Sequence, residues 1–301
     1  MADSASAPFG RVITAMVTPF AEDGSLDLHG ARSLARWLVD HGSDGLVLAG
    51  TTGEAPTLRD DEKLALWEAV LDEVGGDAHV IAGTGTYDTA HSVHLTREAA
   101  RIGVEAFLVV VPYYNKPPLE GIVRHFAAIA EAGRGRPIIA YNIPSRVVLR
   151  LSAADIARLA RDVPQVTAVK QAIDDEADAR AIVALGLALY AGNDELLEPF
   201  CELGGAGGIC VASHLLGQEF RRVCDLVDAG DFAAARALDA ELRQVYGVIN
   251  TLTTNPIPVK AALALAGHPA GGLRLPLVEA DEAQRETLRE VLERHGLLVR
   301  A

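Results

Sequence analysis

The chain has 301 residues, of which half are apolar and 23% are charged, a composition typical of a globular protein with a large core. Its formal net charge of −14, with no basic cluster to offset it, argues against nucleic acid as a partner. The sequence contains no apolar run of transmembrane length, and we therefore expect no membrane partner.

Residues 1–10 contain neither a basic start nor an apolar stretch, so we expect a flexible tail and not a secretion signal. The three cysteines, Cys201, Cys210 and Cys224, show no paired spacing, which predicts reduced thiols in a cytoplasmic protein. The nine histidines contain no His-Glu-x-x-His spacing, so the sequence predicts no metal site.

Apolar runs alternate with amphipathic segments over residues 11–215, the region that we assign to one domain. Eight short runs rich in Val, Ile and Leu predict buried strands, at 12–17, 45–49, 79–82, 106–111, 138–141, 166–170, 188–191 and 208–211. The intervening segments predict helices, at 28–41, 60–74, 89–102, 119–132, 153–160, 175–184 and 195–203. Strands that are apolar along their whole length favour a parallel sheet covered on both faces. Successive β-then-α units of this number predict a closed (β/α)8 TIM barrel.

An open, doubly wound sheet is the alternative for strands and helices in this order. It would require fewer strands and a glycine-rich loop after the first one. The segment after the first predicted strand is Thr18-Pro19-Phe20, which cannot cradle a phosphate, so the barrel is favoured. The strand pattern ends near residue 215, and helices are predicted at 218–229, 232–251, 258–266 and 281–297. We expect residues 216–301 to form a helical C-terminal region packed on the barrel.

Lys170 ends the sixth predicted strand, in a chain that has only four lysines among its 27 Lys and Arg residues. A buried primary amine can lose its proton near neutral pH and attack a carbonyl group, which an arginine cannot do. A lysine at a strand end can also extend its ammonium group into solvent. The residues around Lys170 in the fold therefore decide between a nucleophile and a solvated charge.

In a barrel of this kind the residues that follow the strands form one rim, and active sites lie there. The segments predicted for this rim, besides Lys170, are Gly50-Thr51-Thr52-Gly53-Glu54, Pro112-Tyr113-Tyr114-Asn115-Lys116-Pro117, Tyr141-Asn142-Ile143-Pro144-Ser145-Arg146, Gly192-Asn193-Asp194 and Gly208-Ile209-Cys210. Each segment alone has a structural explanation, as a helix cap, a stiff loop, a core tyrosine or a surface arginine. Together they supply what imine chemistry requires, namely tyrosine hydroxyls for proton transfer, glycine N–H groups for one carboxylate and an arginine for another.

These motifs resemble those of the pyruvate-dependent class I aldolases, the family of the dihydrodipicolinate synthases and N-acetylneuraminate lyases. The resemblance covers the chain from about residue 10 to residue 298. Within the family the chain resembles the dihydrodipicolinate synthases in particular, because they carry an arginine at the position of Arg146 and lyases acting on sugar acids generally do not. The segments 112–117 and Asn255-Pro256-Ile257-Pro258-Val259-Lys260 also resemble the synthases.

The resemblance implies a role for each matching residue. Lys170 would form a Schiff base with pyruvate, and Tyr141 would donate and accept protons above it. Thr51 would connect Tyr141 to Tyr114, which would reach in from the neighbouring subunit of a tight dimer. Thr52 would bind the pyruvate carboxylate, and Arg146 would bind the carboxylate of the second substrate. Gly192 and Ile209 would line the pocket through their backbone groups.

The implied reaction is the condensation of pyruvate with L-aspartate 4-semialdehyde to 4-hydroxy-tetrahydrodipicolinate, the first committed step of the diaminopimelate route to lysine. It needs no metal or organic cofactor, and the family implies a homotetramer built from two tight dimers. One alternative is another aldolase or dehydratase that uses the same imine, on sialic acid, a 2-keto-3-deoxy sugar acid or 4-hydroxy-2-oxoglutarate. Arg146 favours the short semialdehyde, which bears a carboxylate. The other alternative is a ligand-binding homologue without activity, which the intact set of Lys170, Tyr141, Thr51 and Tyr114 disfavours.

The chain departs from the family pattern at Gln171, where many members have Glu or Asp, and at Ala55, where Ser is common. Some synthases are inhibited by lysine bound at the dimer interface, and the corresponding positions in this chain are Ala55, Asp60, Lys63, Tyr87 and His91. Because Lys63 places a cation where a cationic ligand must bind, we expect L-lysine to inhibit weakly or not at all. The alternative role for Lys63 is a solvated charge on a helix face.

Overall fold

The computed structural model describes residues 7–298, which form a closed barrel of eight parallel strands surrounded by helices. The strands follow one another around the barrel in chain order, and the last pairs with the first. Their bounds are β1 Val12–Ala15, β2 Gly45–Leu48, β3 His79–Gly83, β4 Ala106–Val110, β5 Ile138–Asn142, β6 Val166–Gln171, β7 Ala188–Ala191 and β8 Gly207–Cys210. The predicted TIM barrel is confirmed, and every predicted strand end lies within two residues of the observed one.

Helices follow the strands and continue after β8. They are α1 Leu28–Asp40, α2 Asp60–Val74, α3 Thr89–Ile102, α4 Leu119–Ala132, α5 Pro144–Val147, α6 Ala153–Asp162, α7 Glu176–Ala184, α8 Leu197–Glu202, α9 Ser213–Asp228, α10 Phe232–Thr251, α11 Ile257–Leu265 and α12 Glu282–Arg294. Side chains cap several of them, as Asp88 does for α3 and Ser152 for α6. Within residues 7–298 none of the helices has the length and apolar character that a membrane crossing requires.

The pairing of neighbouring strands determines which side chains meet inside the barrel. Tyr141 on β5 is the register partner of Lys170 on β6, and Lys170 is in turn the partner of Tyr190 on β7. Because side chains alternate between the two faces of a strand, register partners in a parallel sheet point to the same face. The fold therefore places Tyr141 beside Lys170 before any loop contributes to the site.

Both predicted boundaries of the barrel differ slightly from the observed ones. Phe9, which the sequence analysis assigns to the flexible tail, is buried, and its N–H donates to the Tyr190 hydroxyl over 3.2 Å. Burial of this aromatic ring holds the chain in place before residue 10, whereas residues 1–6 of the predicted tail lie outside the described residues. At the other end α9 begins at Ser213, slightly before the predicted start of the helical C-terminal region.

Candidate active site

Lys170 lies near the carboxyl end of β6, and its side chain reaches the mouth of the barrel although the residue is only 4% exposed. Burial lowers the pKa of its ammonium group from 10.5 to about 8. The negative charge of Asp194 counteracts this fall, whereas the positive charge of Arg146 adds to it. Part of the Lys170 population is therefore the neutral amine near neutral pH, the form that attacks a carbonyl carbon. The alternative of a solvated strand-end charge does not fit a side chain buried to this extent.

Tyr141 lies beside Lys170, and the Lys170 Nζ atom is 4.4 Å from the centroid of the tyrosine ring. Burial raises the pKa of the Tyr141 hydroxyl to about 12, although the charge of Arg146 and a hydrogen bond with the Thr51 hydroxyl act in the opposite direction. The hydroxyl therefore keeps its proton across the neutral range and can donate it to a reacting group. The structure thus brings together Tyr141 and Thr51, two of the three residues of the predicted proton relay.

The turn after β2 presents Thr51 and Thr52 to the same site. Ala49 and Glu54, which flank the two threonines, have positive φ values of 52° and 55°, and these reverse the chain at the barrel mouth. Thr52 is buried, and its hydroxyl oxygen accepts a hydrogen bond from Asn255 Nδ2 over 2.8 Å. The position of Thr52 thus depends on the loop that precedes α11, far away in the sequence.

Glu54 anchors this turn through an ion pair buried inside the protein. Its Oε1 atom lies 2.7 Å from Lys260 Nζ, and its Oε2 atom accepts a hydrogen bond from the Arg274 backbone N–H over 3.1 Å. Lys260 also donates to the Gly272 carbonyl oxygen over 2.6 Å, so two oxygen atoms share its charge. Sequence reasoning assigned no role to Glu54 or Lys260, because nothing in the chain indicates that two such distant segments meet.

Arg146 follows β5 on the single-turn helix α5, which the sequence analysis did not predict. The side chain is exposed and lies at the wall of the cavity that contains Lys170. One guanidinium nitrogen is 3.4 Å from the Asn255 carbonyl oxygen, and among the described residues no carboxylate forms an ion pair with it. The guanidinium is therefore free to bind a carboxylate ligand.

A cavity of about 570 Å³ joins these residues at the mouth of the barrel. Its wall includes the predicted residues Thr51, Thr52, Tyr141, Arg146, Lys170 and Gly192. Ile209, which was also predicted for the wall, is instead fully buried in β8, and Val211 lies at the wall at this strand end. Sequence reasoning therefore identified the correct strand but placed the cavity two residues too early along it.

Helix α10 and the loop after it form the opposite wall of this cavity. The residues that they contribute are Arg243, Tyr246, Gly247, Asn250, Thr251, Thr253, Thr254 and Asn255. The C-terminal helical region is thus part of the site and not only a layer packed on the barrel. Sequence reasoning predicted the helix at 232–251 but not that it lines the site, and the one signal that could have indicated this region was the family-like segment that begins at Asn255.

Asp194 connects this wall to the ends of the strands. Its carboxylate accepts hydrogen bonds from the N–H groups of Val211 and Ala212, both over 2.8 Å, and from Asn250 Nδ2 over 2.9 Å. The residue is only 1% exposed, and its negative charge favours the ammonium form of Lys170. Sequence analysis placed Asp194 on the rim but gave it no role, whereas the structure shows that it ties β7, β8 and α10 together.

A second cavity, of about 230 Å³, lies next to the first and shares Thr51, Tyr141, Ile143 and Arg146 with it. Its remaining wall is mainly apolar and includes Leu108. Tyr114 lines neither cavity: it has a positive φ of 71° and is 90% exposed. Within a single chain the structure therefore does not bring Tyr114 to Thr51.

The five positions considered for lysine binding all lie within the described residues. Lys63 on α2 is 5% exposed, so it is not the solvated helix-face charge that was the alternative, and burial lowers the pKa of its ammonium group. Its Nζ atom lies 4.0 Å from Asp60 Oδ1, and the same oxygen is 2.8 Å from His91 Nε2. Ala55 lines the second cavity, whereas Tyr87 is largely exposed.

Gln171, which departs from the family pattern, is fully buried next to Lys170 in the sequence. Asn142 Nδ2 donates hydrogen bonds to Gln171 Oε1 over 2.9 Å and to the Leu151 carbonyl oxygen over 2.8 Å. Because adjacent side chains on a strand point to opposite faces, this amide pair lies on the face of β6 away from the Lys170 amine. The departure at Gln171 therefore leaves the nucleophile's surroundings unchanged.

The described residues contain no group of three or more His, Cys, Asp or Glu side chains arranged to hold a metal ion. All three cysteines are buried and free, and the Sγ atoms of Cys201 and Cys224 are 3.8 Å apart. Burial raises the pKa of the Cys210 thiol, which lies near Lys170, so the thiol keeps its proton. Cys210 is therefore a neutral neighbour of the Lys170 amine.

Comparison with known proteins gives one family throughout. The model of the dihydrodipicolinate synthetase family matches residues 8–295. The chain is 50% identical to a 4-hydroxy-tetrahydrodipicolinate synthase of Symbiobacterium thermophilum and 49% identical to one of Moorella thermoacetica, in each case over 96% of this chain and 99% of the relative. It also matches a crystal structure of DHDPS from Cyanidioschyzon merolae with lysine bound, at a TM-score of 0.93 and 40% identity, over 96% of this chain and 99% of that one.

Proposed function

The chain belongs to the dihydrodipicolinate synthetase family, and we propose that it condenses pyruvate with L-aspartate 4-semialdehyde to 4-hydroxy-tetrahydrodipicolinate. It is a lyase that acts at the first committed step of the diaminopimelate route to lysine. The observation that carries the proposal is a buried amine, that of Lys170 with a pKa of about 8, in one cavity with the Tyr141 hydroxyl and the Arg146 guanidinium.

The first half of the reaction forms an imine at Lys170. The neutral amine attacks the ketone carbon of pyruvate, and the Tyr141 hydroxyl protonates the carbinolamine oxygen, which leaves as water. Thr51, hydrogen bonded to Tyr141, supports this proton transfer, and the turn at Thr52 receives the pyruvate carboxylate. The protonated imine withdraws electrons from the pyruvate methyl group, which loses a proton and becomes the nucleophilic carbon of an enamine.

The second half of the reaction joins the two substrates. The enamine carbon attacks the aldehyde carbon of the semialdehyde, whose carboxylate binds Arg146, and the aldehyde oxygen takes up a proton to become the 4-hydroxyl group. The amino group of the semialdehyde then attacks the imine carbon, and the bond from that carbon to the Lys170 nitrogen breaks. The six-membered ring closes and the amine is regenerated, with no step that requires an oxidant, a reductant or a metal.

The proposal is tested with pyruvate and L-aspartate 4-semialdehyde in an assay coupled to a dihydrodipicolinate reductase, which reports product as oxidation of the nicotinamide cofactor. N-Acetylneuraminate and 2-keto-3-deoxygluconate serve as competing substrates in parallel reactions. Borohydride added with pyruvate should give a stable adduct, and mass spectrometry should locate it on Lys170. Turnover of a sugar acid in place of the semialdehyde, or an adduct at another residue, would refute the proposal.

We also propose that Tyr114 acts in a neighbouring subunit, within a cytoplasmic homotetramer of two tight dimers. Two observations support this arrangement: the Tyr114 side chain is 90% exposed, and an apolar cavity beside Thr51 can accept an aromatic ring. Mixing the inactive variants Lys170→Ala and Tyr114→Phe tests it, because a mixed dimer would contain one site with both wild-type residues. Activity that does not recover on mixing would exclude exchange of Tyr114 between subunits.

A further inference from the structure

The larger cavity contains two carboxylates with different surroundings, those of Asp194 and Glu195. Among the residues that the structure describes, no other acidic side chain lines either of the two cavities. The same cavity contains three basic side chains, Arg146, Lys170 and Arg243. A site built only for two carboxylate ligands would need no negative charge at its wall, so the two acidic residues require separate explanations.

Asp194 has a structural explanation. Its two carboxylate oxygens already accept hydrogen bonds from two backbone N–H groups and from the Asn250 side chain, and the residue is almost completely buried. A carboxylate with three donors in place has little capacity left for a ligand. Asp194 therefore supports the wall of the cavity and does not bind what enters it.

Glu195 has no such set of partners. It is partly buried, and within residues 7–298 no Lys or Arg side chain forms an ion pair with it, although the charge of Arg243 acts on it from a greater distance. Burial is the main cause that raises the pKa of the Glu195 carboxyl group, and the charge of Asp194 adds to it, whereas the residue's own backbone N–H, the Asn193 side chain and the charge of Arg243 lower it. A partly desolvated carboxylate at a cavity wall gains most from a ligand that brings a positive charge.

The next step rests on the proposed function. L-Aspartate 4-semialdehyde carries an ammonium group and a carboxylate on the same carbon atom. Arg146 follows β5 and Glu195 follows β7, so the two side chains flank Lys170 on β6. We propose that Glu195 binds the ammonium group of the second substrate while Arg146 binds its carboxylate.

Glu195 also accounts for a proton that the ring closure must remove. The substrate enters as an ammonium ion, which has no lone pair for attack on the imine carbon. Transfer of one proton from this nitrogen to the Glu195 carboxylate breaks an N–H bond, forms an O–H bond and frees the lone pair. The lone pair forms the new C–N bond, the bond between that carbon and the Lys170 nitrogen breaks, and Glu195 returns its proton to solvent as the product leaves.

The test uses Glu195→Gln, which keeps the size of the side chain and removes its charge. Glu241→Gln is the matched control, because Glu241 is exposed on α10 and lines neither cavity. We expect E195Q to lower kcat/KM for L-aspartate 4-semialdehyde roughly tenfold to a hundredfold, as expected for loss of a charge-assisted contact, and E241Q to have no effect. Succinate semialdehyde, which lacks the amino group, should inhibit the wild type and E195Q equally.

Trapping of the pyruvate adduct with borohydride separates this inference from the proposed function. If the wild type forms no adduct, the proposed function fails. If E195Q forms the adduct but retains wild-type kcat/KM for the amino substrate, or loses affinity for both semialdehydes alike, the assignment of Glu195 is overturned and the function stands. Loss of the pyruvate adduct in E195Q would also overturn it, because Glu195 would then act in the first half of the reaction. Glu195→Asp, which retains the charge, should recover part of the lost activity.

Discussion

The Nζ atom of Lys170 lies 4.4 Å from the centroid of the Tyr141 ring. The two residues are register partners on β5 and β6, so hydrogen-bonded strands and not a loop determine this distance. The ring face attracts the ammonium form of Lys170, while the hydroxyl of the same residue, with a pKa of about 12, remains a proton donor. The barrel thus holds the proposed nucleophile and its proton donor at a constant separation.

The first prediction concerns the pH dependence of imine formation. Because the pKa of Lys170 is about 8, the neutral fraction of the amine should increase about tenfold per pH unit below that value and level off above it. We therefore expect kcat/KM for pyruvate to rise from pH 6 to about pH 8 and then reach a plateau. A profile that keeps rising to pH 10 would show that the pKa of Lys170 is not lowered. Lys170→Arg should form no adduct, whereas Lys116→Arg, a change on the surface, should form it normally.

The second prediction concerns how much the burial of Lys170 lowers the stability of the folded protein. The pKa of Lys170 falls from 10.5 to about 8 on folding, so the unfolded chain binds more protons than the folded one between these two values. Stability from this group therefore increases as pH rises from 8 to 10.5 and is lowest at neutral pH, where the buried ammonium costs roughly 3 kcal/mol. Lys170→Met should raise the free energy of unfolding at pH 7 in urea titrations, and its advantage should shrink toward pH 10. A variant that is less stable than the wild type at pH 7 would contradict this account.

The third prediction compares the loss of the Tyr141 hydroxyl, the proposed proton donor, with the loss of the Thr51 hydroxyl beside it. Tyr141→Phe keeps the ring beside Lys170 and removes the hydroxyl, so it should lower kcat about 10²- to 10⁴-fold, the usual contribution of a general acid or base. Thr51→Val should lower kcat less, because it leaves the Tyr141 hydroxyl in place and removes only a group that supports it. Both variants should unfold at urea concentrations close to that of the wild type. Equal losses in the two variants would indicate that Thr51 contacts the substrate directly.

The strand pattern predicted most of this fold because buried parallel strands are continuous apolar runs, which stand out from the amphipathic helices between them. Once the barrel was predicted, the rim rule placed Thr51, Tyr141, Arg146 and Lys170 together without knowledge of any contact. The order of strands in the sequence is therefore enough to place on the rim those residues that directly follow a strand. It does not locate Tyr114, whose exposed side chain meets neither cavity of its own chain.

What could not be predicted depends on contacts between segments far apart in the sequence. Asn250 reaches Asp194 because α10 crosses the barrel mouth, and an amphipathic pattern indicates a helix without indicating what its side chains cover. Ile209 illustrates the limit at short range: the pattern identified β8, but it did not show that Val211, just after the strand, lines the cavity and that Ile209, two residues earlier, is buried. The sequence left two roles for Lys63, a cation at the ligand position or a solvated helix-face charge, because it does not show whether a lysine on a helix face is buried.

The fourth prediction is that L-lysine at millimolar concentration leaves the condensation rate of the wild type almost unchanged. The Lys63 ammonium is buried beside Asp60, so the carboxylate that could bind a cationic ligand already faces an internal cation and His91. Initial rates in the coupled assay, measured with and without L-lysine, check this. Lys63→Met, which removes the internal cation, should be more sensitive to L-lysine than the wild type. Strong inhibition of the wild type would show that Lys63 does not exclude the ligand.

The last prediction concerns the ion pair between Glu54 and Lys260, which are both buried and 2.7 Å apart. Removal of one partner leaves an uncompensated charge inside the protein, so Lys260→Met and Glu54→Gln should each destabilise the fold, with the methionine variant losing about 3–5 kcal/mol. The double variant leaves no buried charge and should recover a large part of that loss, which a double-mutant cycle in urea would measure. Because Glu54 ends the turn that carries Thr51 and Thr52, the single variants should also raise KM for pyruvate. Additive losses in the double variant would show that the two side chains do not stabilise each other, and the turn would then have to be held by the Thr52–Asn255 hydrogen bond instead.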